Sequence, residues 1–245
     1  MSKSQKSEAR PAFQEVIYPE SNSKAMAETD IHRECMSDLI KTLSDFYRHD
    51  PTVYVSGYVF MYYQEDDARQ HIVPDVFVVK GVEKKLRRYY QIWKEGKAPD
   101  VVIEVTSDST RWEDTETKRK LYQQLGVKEY YLYDPTGDYL EDRLLGYRLV
   151  GSRYVSVRLW KGENRLHSDV LGLDLVLESG RLRLYDAQSQ RFLLTPSEAI
   201  EAQRQAEEAR RQAEEENARL QAELERMQKQ LQTTARARRR LRGRK

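Results

Sequence analysis

Two acidic residues interrupt otherwise apolar segments of the chain. Asp75 stands inside residues 72–79 and Glu104 inside residues 101–105, both rich in Val and Ile. An ionised carboxylate in a buried strand is costly unless a partner compensates it. Either each residue has a local structural role, as a strand start or an ion-pair partner, or the two meet at one sheet edge and bind a cation. Mg²⁺ is typically held by one or two carboxylates plus water and substrate phosphate.

A helix predicted after Glu104 carries three further polar residues at regular spacing. Asp114, Lys118 and Tyr122 are separated by four residues each, which places them on one helix face. Lys118 could reach back toward Glu104 and a bound metal. The alternative is a surface Asp114–Lys118 ion pair, which contributes only a few tenths of a kcal/mol. Helical spacing is compatible with both.

Alternating helices and strands must position these residues. A three-to-four-residue hydrophobic period predicts helices, and segments rich in β-branched and aromatic residues predict strands. The predicted helices are 29–47 and 111–125, and the predicted strands are 53–63, 72–79, 101–105, 127–133 and several short ones within 139–185. This order predicts an α/β or α+β domain with one main sheet. The four histidines, His32, His49, His71 and His167, are scattered and are interpreted as surface or capping residues.

Composition excludes several classes of protein. Cys35 is the only cysteine of 245 residues, so neither an intramolecular disulfide nor a cysteine zinc cage can form. The apolar segments are too short to span a membrane, and the Ser- and Lys-rich start does not resemble a secretory signal. We therefore expect a cytoplasmic protein with no membrane partner. Residues 1–24 are predicted to be disordered.

Charge is unevenly distributed. The net charge is +2, but the last ten residues carry seven Lys or Arg and no acidic residue, which leaves −5 on residues 1–235. A long helix is predicted from Ser197, its N-cap, to about residue 232. Leu220, Leu224, Met227 and Leu231 are spaced 4, 3 and 4 residues apart, which is typical of a coiled-coil seam. A homodimer through residues 197–235 and a solvated single helix are both compatible with this pattern.

An ordered string of motifs carries a family resemblance. The motifs are Pro74-Asp75, Glu104-Val105, Ser107-x-Ser109-Thr110, Asp114-x-x-x-Lys118-x-x-x-Tyr122, Gly126-Val127-x-Glu129-Tyr130 and Asp134-Pro135, together with Glu28-Thr29-x-x-His32-Arg33 and Gly57-x-x-Phe60-x-Tyr62. From about residue 25 to 180 the chain resembles the Uma-type family of restriction endonucleases, in the PD-(D/E)XK nuclease superfamily. The resemblance implies a restriction-endonuclease-like core, with a central mixed sheet flanked by helices.

The resemblance also implies metal-dependent hydrolysis of DNA phosphodiester bonds. Asp75 and Glu104 match the acidic positions and would hold Mg²⁺ or Mn²⁺ with a strand carbonyl near Val105. The superfamily's lysine normally lies two residues after the glutamate, where this chain has Thr106. Lys118 matches the helical lysine that replaces it in this family, and would orient the nucleophile or stabilise developing charge.

Further positions follow from the same resemblance. Asp114, Tyr122 and Ser107 would position Lys118 and the acidic pair, and Glu28 or Glu34 would supply an additional acidic ligand. Asp108 departs from the family, which usually has proline there. Candidates for nucleic-acid contact are Arg87 and Arg88, in a basic aromatic segment, and Arg238, Arg239 and Arg240 at the basic end. A solvated amphipathic helix and a solubilising tail are the respective alternatives.

The predicted organisation has four parts: 1–24 disordered, 25–195 the nuclease-like domain, 196–235 a helical coiled-coil segment and 236–245 a basic tail. The leading hypothesis for function is a Mg²⁺-dependent DNA endonuclease. The alternative is a catalytically weak or inactive nuclease-like adaptor that oligomerises or binds partners through its C-terminal coiled coil. A nuclease for RNA or branched DNA is a third possibility that the sequence does not separate from the first.

Overall fold

The structure is a computed structural model that describes residues 29–157, 159 and 164–242, with residues 231–242 described by their backbone alone. The predicted disordered residues 1–24 therefore lie outside the described residues. The chain divides into two compact units, one ending at Leu193 and one beginning at Leu194. We call them the α/β unit and the helical unit.

The α/β unit combines helices with strands, and its last seven described elements are all strands. In chain order its described elements are α1 (Asp30–Phe46), β1 (Val53–Ser56), β2 (Met61–Tyr62), β3 (His71–Ile72), β4 (Val76–Lys80), β5 (Tyr90–Gln91), α2 (Ile92–Glu95), β6 (Val101–Val105), a π-helical segment (Glu113–Lys118), α3 (Arg119–Leu125), β7 (Glu129–Tyr133), β8 (Leu144–Val150), β9 (Arg153–Val157), β10 (Arg165–Ser168), β11 (Leu173–Glu178), β12 (Arg181–Asp186) and β13 (Arg191–Phe192).

The main sheet has six strands in the order β1-β4-β6-β7-β8-β9. Strands β6 and β7 are parallel, and every other neighbouring pair in this sheet is antiparallel. Two smaller sheets, β3-β2-β5 and β10-β11-β12-β13, complete the unit. The main sheet is thus mixed, as predicted.

Helices cover both faces of the main sheet because its central strands are apolar on both sides. Met36 and Leu43 of α1 pack with Val76 and Ile103 on one face. Tyr122 of α3 packs on the other face, in the cluster that contains Phe77, Val79, Val102 and Tyr130. The predicted central mixed sheet flanked by helices is confirmed. Side chains alternate along a strand, so Glu104 is directed toward the face of Val102 and α3.

Two predicted strands are interrupted. Residues 53–63 form β1 and β2 with a turn at Gly57 and Tyr58 between them, because Tyr58 has a left-handed φ of 59°. Residues 72–79 divide at Pro74, which has no N–H to donate to a sheet. Consequently β4 begins immediately after Asp75, which places Asp75 at the edge of the main sheet where β4 starts.

The helical unit contains one long helix, α4 (Pro196–Arg242). The prediction of Ser197 as N-cap is wrong. Thr195 Oγ1 accepts a hydrogen bond from Glu198 N at 3.4 Å, and Glu198 Oε2 accepts one from Thr195 N at 2.9 Å. This is a capping box with Pro196 in the first helical position. The helix also continues through the predicted basic tail as far as Arg242, because Arg and Ala are strong helix formers.

Among the described helices, none combines the length and the apolar composition that crossing a membrane requires.

Candidate active site

Antiparallel pairing of β4 and β6 brings the two acidic residues together. The start of β4 and the end of β6 meet at one edge of the sheet, with Val76 opposite Ile103. Asp75 N donates to Glu104 Oε2 at 3.2 Å, and Val105 N donates to Asp75 Oδ2 at 2.7 Å. The Glu104 carboxylate is thus held by the backbone of Asp75 and the Asp75 carboxylate by the backbone of Val105, and both carboxylates are buried at the same sheet edge.

Lys118 reaches this edge from the following helix. Its Nζ lies 3.0 Å from Glu104 Oε2 and 3.0 Å from Asp114 Oδ1, and all three side chains are almost fully buried. The surface ion pair considered as an alternative is therefore excluded. Asp114 and Lys118 both belong to the π-helical segment, a rare conformation that is frequent at functional sites.

Two tyrosines on the face of the sheet that α3 covers hold the acidic groups. Tyr122 Oη donates to Glu104 Oε1 at 2.7 Å, so Glu104 accepts bonds from Tyr122, Lys118 and the Asp75 backbone. Tyr130 Oη donates to the carbonyl of Asp114 at 2.9 Å, which ties the π-helical segment to β7. These bonds restrict how far Glu104 and Asp114 can move.

His32 lies at the candidate site, although the sequence did not predict it there. It is buried in the first turn of α1, where Thr29 Oγ1 accepts from its backbone N–H at 3.2 Å. Its Nε2 lies 2.5 Å from the carbonyl oxygen of Val105 and 3.5 Å from Asp75 Oδ2. The interpretation of His32 as a surface or capping residue is wrong. In the sequence, His32 is marked only by the motif Thr29-x-x-His32, which is one of the motifs that carry the family resemblance.

Burial and charge set the protonation of the site. Burial raises the pKa of Glu104 well above its usual range despite Lys118, and raises that of Asp114 too. For Asp75, burial is outweighed by the hydrogen bond from His32 and the charge of Lys118, so its pKa is lowered. Burial would lower the pKa of Lys118, but the neighbouring carboxylates Glu104, Asp114 and Asp75 raise it. Lys118 is therefore positively charged at neutral pH.

The donor set fits a divalent cation. Three buried carboxyls face one lysine, which leaves two negative charges uncompensated when all are ionised and His32 is neutral. The Thr106 hydroxyl and the Asp114 carboxylate also lack an aligned hydrogen bond. In the part of the chain that the structure describes, no three His, Cys, Asp or Glu side chains form a ready-made metal cage. Water and substrate would have to complete the coordination, as is usual for Mg²⁺.

Comparison with known proteins decides the family. The family model Uma2, described as “Putative restriction endonuclease”, matches residues 21–178. This chain belongs to the Uma2 family. A solved structure from Anabaena variabilis ATCC 29413, titled a “putative nuclease belonging to DUF820”, is 15% identical, with a TM-score of 0.45 over 60% of this chain and 76% of that one. No curated protein matches the chain.

The Uma2 match ends before the helical unit. It contains all five residues that converge at the sheet edge and that we call the acidic cluster: Asp75, Glu104, Asp114, Lys118 and Tyr122. Ser107 lies in the loop after β6, where its hydroxyl is 3.1 Å from the hydroxyls of Ser109 and Thr110. Glu34 is exposed on α1, two residues from the buried His32, and no contact links it to the acidic pair. Glu28 lies outside the described residues.

The candidates for nucleic-acid contact lie in different environments. The guanidinium of Arg87 forms hydrogen bonds of 2.8 Å to both carboxylate oxygens of Glu95 and lies 4.2 Å from the ring centre of Tyr54. Both partners of this guanidinium belong to the fold, which argues against Arg87 as a phosphate contact. Arg88 is exposed. The side chains of Arg238, Arg239 and Arg240 lie outside the described residues.

Proposed function

We propose that this member of the Uma2 family is a Mg²⁺- or Mn²⁺-dependent endonuclease that hydrolyses phosphodiester bonds in DNA. The convergence of Asp75, Glu104 and Lys118 at one sheet edge is the observation that carries the proposal. Two carboxylates can hold a cation and an ammonium can offset negative charge, which suits metal-dependent phosphodiester hydrolysis. The three residues come from the start of β4, from β6 and from the π-helical segment.

Asp75 and Glu104 would hold the cation, with the carbonyl of Val105. When bound, such a cation lowers the pKa of water and offsets negative charge on the phosphate. Lys118 places a fixed ammonium beside Glu104, where it orients the attacking water or stabilises charge that develops on phosphorus-bound oxygens.

Other residues hold these groups in place. The Tyr122 hydroxyl holds Oε1 of Glu104, and the Asp114 carboxylate holds the ammonium of Lys118. His32 holds the end of β6 beside Asp75 through the Val105 carbonyl. Preorganised charges of this kind act without reorganising during the reaction, which is why they accelerate it.

The test is cleavage of supercoiled plasmid by purified protein in EDTA, Mg²⁺ or Mn²⁺. The variants are Glu104→Gln and Lys118→Met, with Lys120→Met as the matched control, because Lys120 lies in α3 and pairs with Glu116 at the surface. We expect metal-dependent nicking by wild type and by the control only. Equal nicking by all four proteins would indicate a contaminant or another site. Linear single strands, RNA and branched DNA serve as additional substrates.

A second candidate is the adaptor. The observation that favours it is the row of half-exposed apolar side chains on α4, formed by Leu220, Leu224 and Met227. A coiled coil would bury this row against a second copy of the chain. If no nucleic acid is cleaved and no Mg²⁺ or Mn²⁺ binds in calorimetry, while the chain is a dimer in solution, the adaptor is the better proposal.

A further inference from the structure

Exposed aromatic side chains are concentrated beside the acidic cluster. Among the described residues the most exposed aromatic side chains are those of Phe46 at 37%, Tyr58 at 42% and Trp112 at 75%. Phe46 ends α1 near the opposite edge of the sheet, since α1 runs from His32 beside Asp75 to the segment that precedes β1. Tyr58 and Trp112 both lie at the edge that carries Asp75 and Glu104.

The position of Tyr58 is coupled to that of Asp75. Tyr58 N donates to the carbonyl of Pro74 at 3.0 Å. A Cβ on the preceding residue, Gly57, would lie 1.9 Å from the carbonyl oxygen of Asp75, so the two backbones are in direct contact. Tyr58 itself has a φ of 59°, an unfavourable conformation for a tyrosine that is typical of functional sites. The turn therefore anchors the backbone of Tyr58, whose side chain is exposed, beside that of Asp75.

Trp112 lies close to the cluster along the chain. It immediately precedes the π-helical segment and is two residues from Asp114, whose N–H donates to the carbonyl of Thr110 at 2.8 Å. An indole usually contributes to a core, because it carries a large apolar surface. The neighbouring Arg111 is also exposed, and its closest acidic partner, Asp108, is 4.0 Å away. An exposed ring and an exposed cation thus follow β6 together.

We propose that Tyr58 and Trp112 stack on unpaired bases, so that the site takes single-stranded or locally unpaired nucleic acid. This inference rests on the proposed function. Every base has a face on which an aromatic ring can stack, so such contacts are tolerant of sequence. In an intact duplex the base faces are covered by their neighbours, and these rings have nothing to stack on. Arg111 would contact the phosphate between the stacked bases.

The test measures binding in EDTA, where no cleavage complicates the result. Labelled single-stranded DNA, single-stranded RNA and a duplex of the same sequence are titrated with the full chain, and anisotropy and tryptophan fluorescence are recorded. We expect Trp112→Ala and Tyr58→Ala each to weaken single-strand binding by roughly tenfold and duplex binding by less than about twofold. Trp112→Phe and Tyr58→Phe keep a ring and should bind almost as wild type.

Fluorescence supplies an independent reading. Stacking should quench Trp112, so the quenching by single strands should disappear in Trp112→Phe. The matched control is Trp93→Phe on α2, which lies in the connection between the far ends of β4 and β6. This control should retain the quenching. The comparison between variants removes the nonspecific attraction of the basic C-terminal end, which all of them share.

The outcomes separate this inference from the proposed function. Single-strand binding that does not depend on either ring, or a loss that is equal for duplex, overturns the inference even if plasmid is cleaved. Ring-dependent binding of single strands without any cleavage supports the inference and contradicts the nuclease. The comparison of single-stranded DNA with single-stranded RNA shows which sugar the site accepts. A preference for either one supports stacking if that binding depends on the Tyr58 and Trp112 rings.

Discussion

Tyr122 Oη donates a 2.7 Å hydrogen bond to Oε1 of Glu104, and neither residue has contact with solvent. The bond leaves only Oε2 to accept from Lys118 and from the Asp75 backbone. Glu104 is therefore held from three directions by α3, the π-helical segment and the start of β4. This arrangement fixes one orientation of the carboxylate at the end of β6.

Replacing Tyr122 by Phe removes this bond and keeps the ring. We expect the free energy of unfolding to fall by about 1–2 kcal/mol, because a buried acceptor loses its donor. In the proposed nuclease Glu104 would hold the cation, so cleavage should fall by roughly 10- to 100-fold when this partner of Glu104 is lost. The matched control is Tyr90→Phe, which removes a 2.8 Å bond to the Lys97 carbonyl away from the site. It should lose similar stability in urea and retain activity.

Lys118→Met removes the buried ammonium and leaves Glu104 and Asp114 without a cationic partner. Removing one member of a buried ion pair typically costs about 3–5 kcal/mol, whereas Lys120→Met should change stability by less than about 0.5 kcal/mol. Without the lysine, burial raises both carboxyl pKa values further above those of the unfolded chain. The folded variant then binds more protons than the unfolded one, so its stability should decrease as pH rises from 5 to 8.

A variant whose stability does not depend on pH in that range would contradict this account of the site. Urea denaturation followed by circular dichroism at several pH values measures the effect directly. Wild type, in which Lys118 is present, supplies the reference curve.

Asp134 should contribute to acid denaturation. Burial would raise its pKa, but backbone N–H groups of Tyr139, Gly137 and Leu140 and the Thr136 hydroxyl outweigh burial and hold the pKa below its ordinary value of 3.8. A carboxyl with a lowered folded pKa stabilises the fold above its unfolded pKa, and this contribution is lost as pH falls through the folded value. Asp134→Asn should therefore lose stability at pH 7 and show a shallower decline below about pH 4.

The donors to Asp134 are neutral, so this decline should persist in about 1 M salt, where exposed ion pairs are screened. Asp138→Asn changes an exposed carboxyl in the same turn and serves as the control. An identical pH profile for Asp134→Asn and wild type would contradict the assignment.

Self-association through α4 has its own test. Leu224→Asp places a charge in the predicted seam, and Ala222→Asp places the same charge on the opposite side of the helix. We expect the first substitution to convert a dimer to a monomer in analytical ultracentrifugation and the second to leave the dimer intact. A wild-type chain that is monomeric at high micromolar concentration would contradict the dimer.

Much of the acidic cluster was predictable because two of its members interrupt a local pattern and the other three form one. Asp75 and Glu104 interrupt apolar strands, and Asp114, Lys118 and Tyr122 recur every four residues. The structure brings all five together, although their roles remain proposals. The spacing does not reveal the π-helical segment, since a four-residue repeat is compatible with an α-helix as well.

His32 and Arg87 could not be placed from the sequence, because each depends on a distant partner. His32 contacts the Val105 carbonyl, 73 positions away, and a lone histidine in a first helical turn has no periodic signature. Arg87 belongs to a basic aromatic segment that suggests phosphate contact, yet Glu95 and Tyr54 engage its guanidinium. In both cases tertiary pairing determines the environment of the side chain.

The lysine of this site belongs to a helix that is separate from the strand carrying Glu104. Its position beside the acidic pair consequently depends on how the π-helical segment docks, through Tyr130 and the Asp114 carbonyl. A local opening of this short segment would withdraw the ammonium while the sheet stayed folded. A fluctuation much smaller than global unfolding would then decide whether the Lys118 ammonium is in place. Amide hydrogen exchange at residues 113–118 would report the fraction of molecules in which this segment is open.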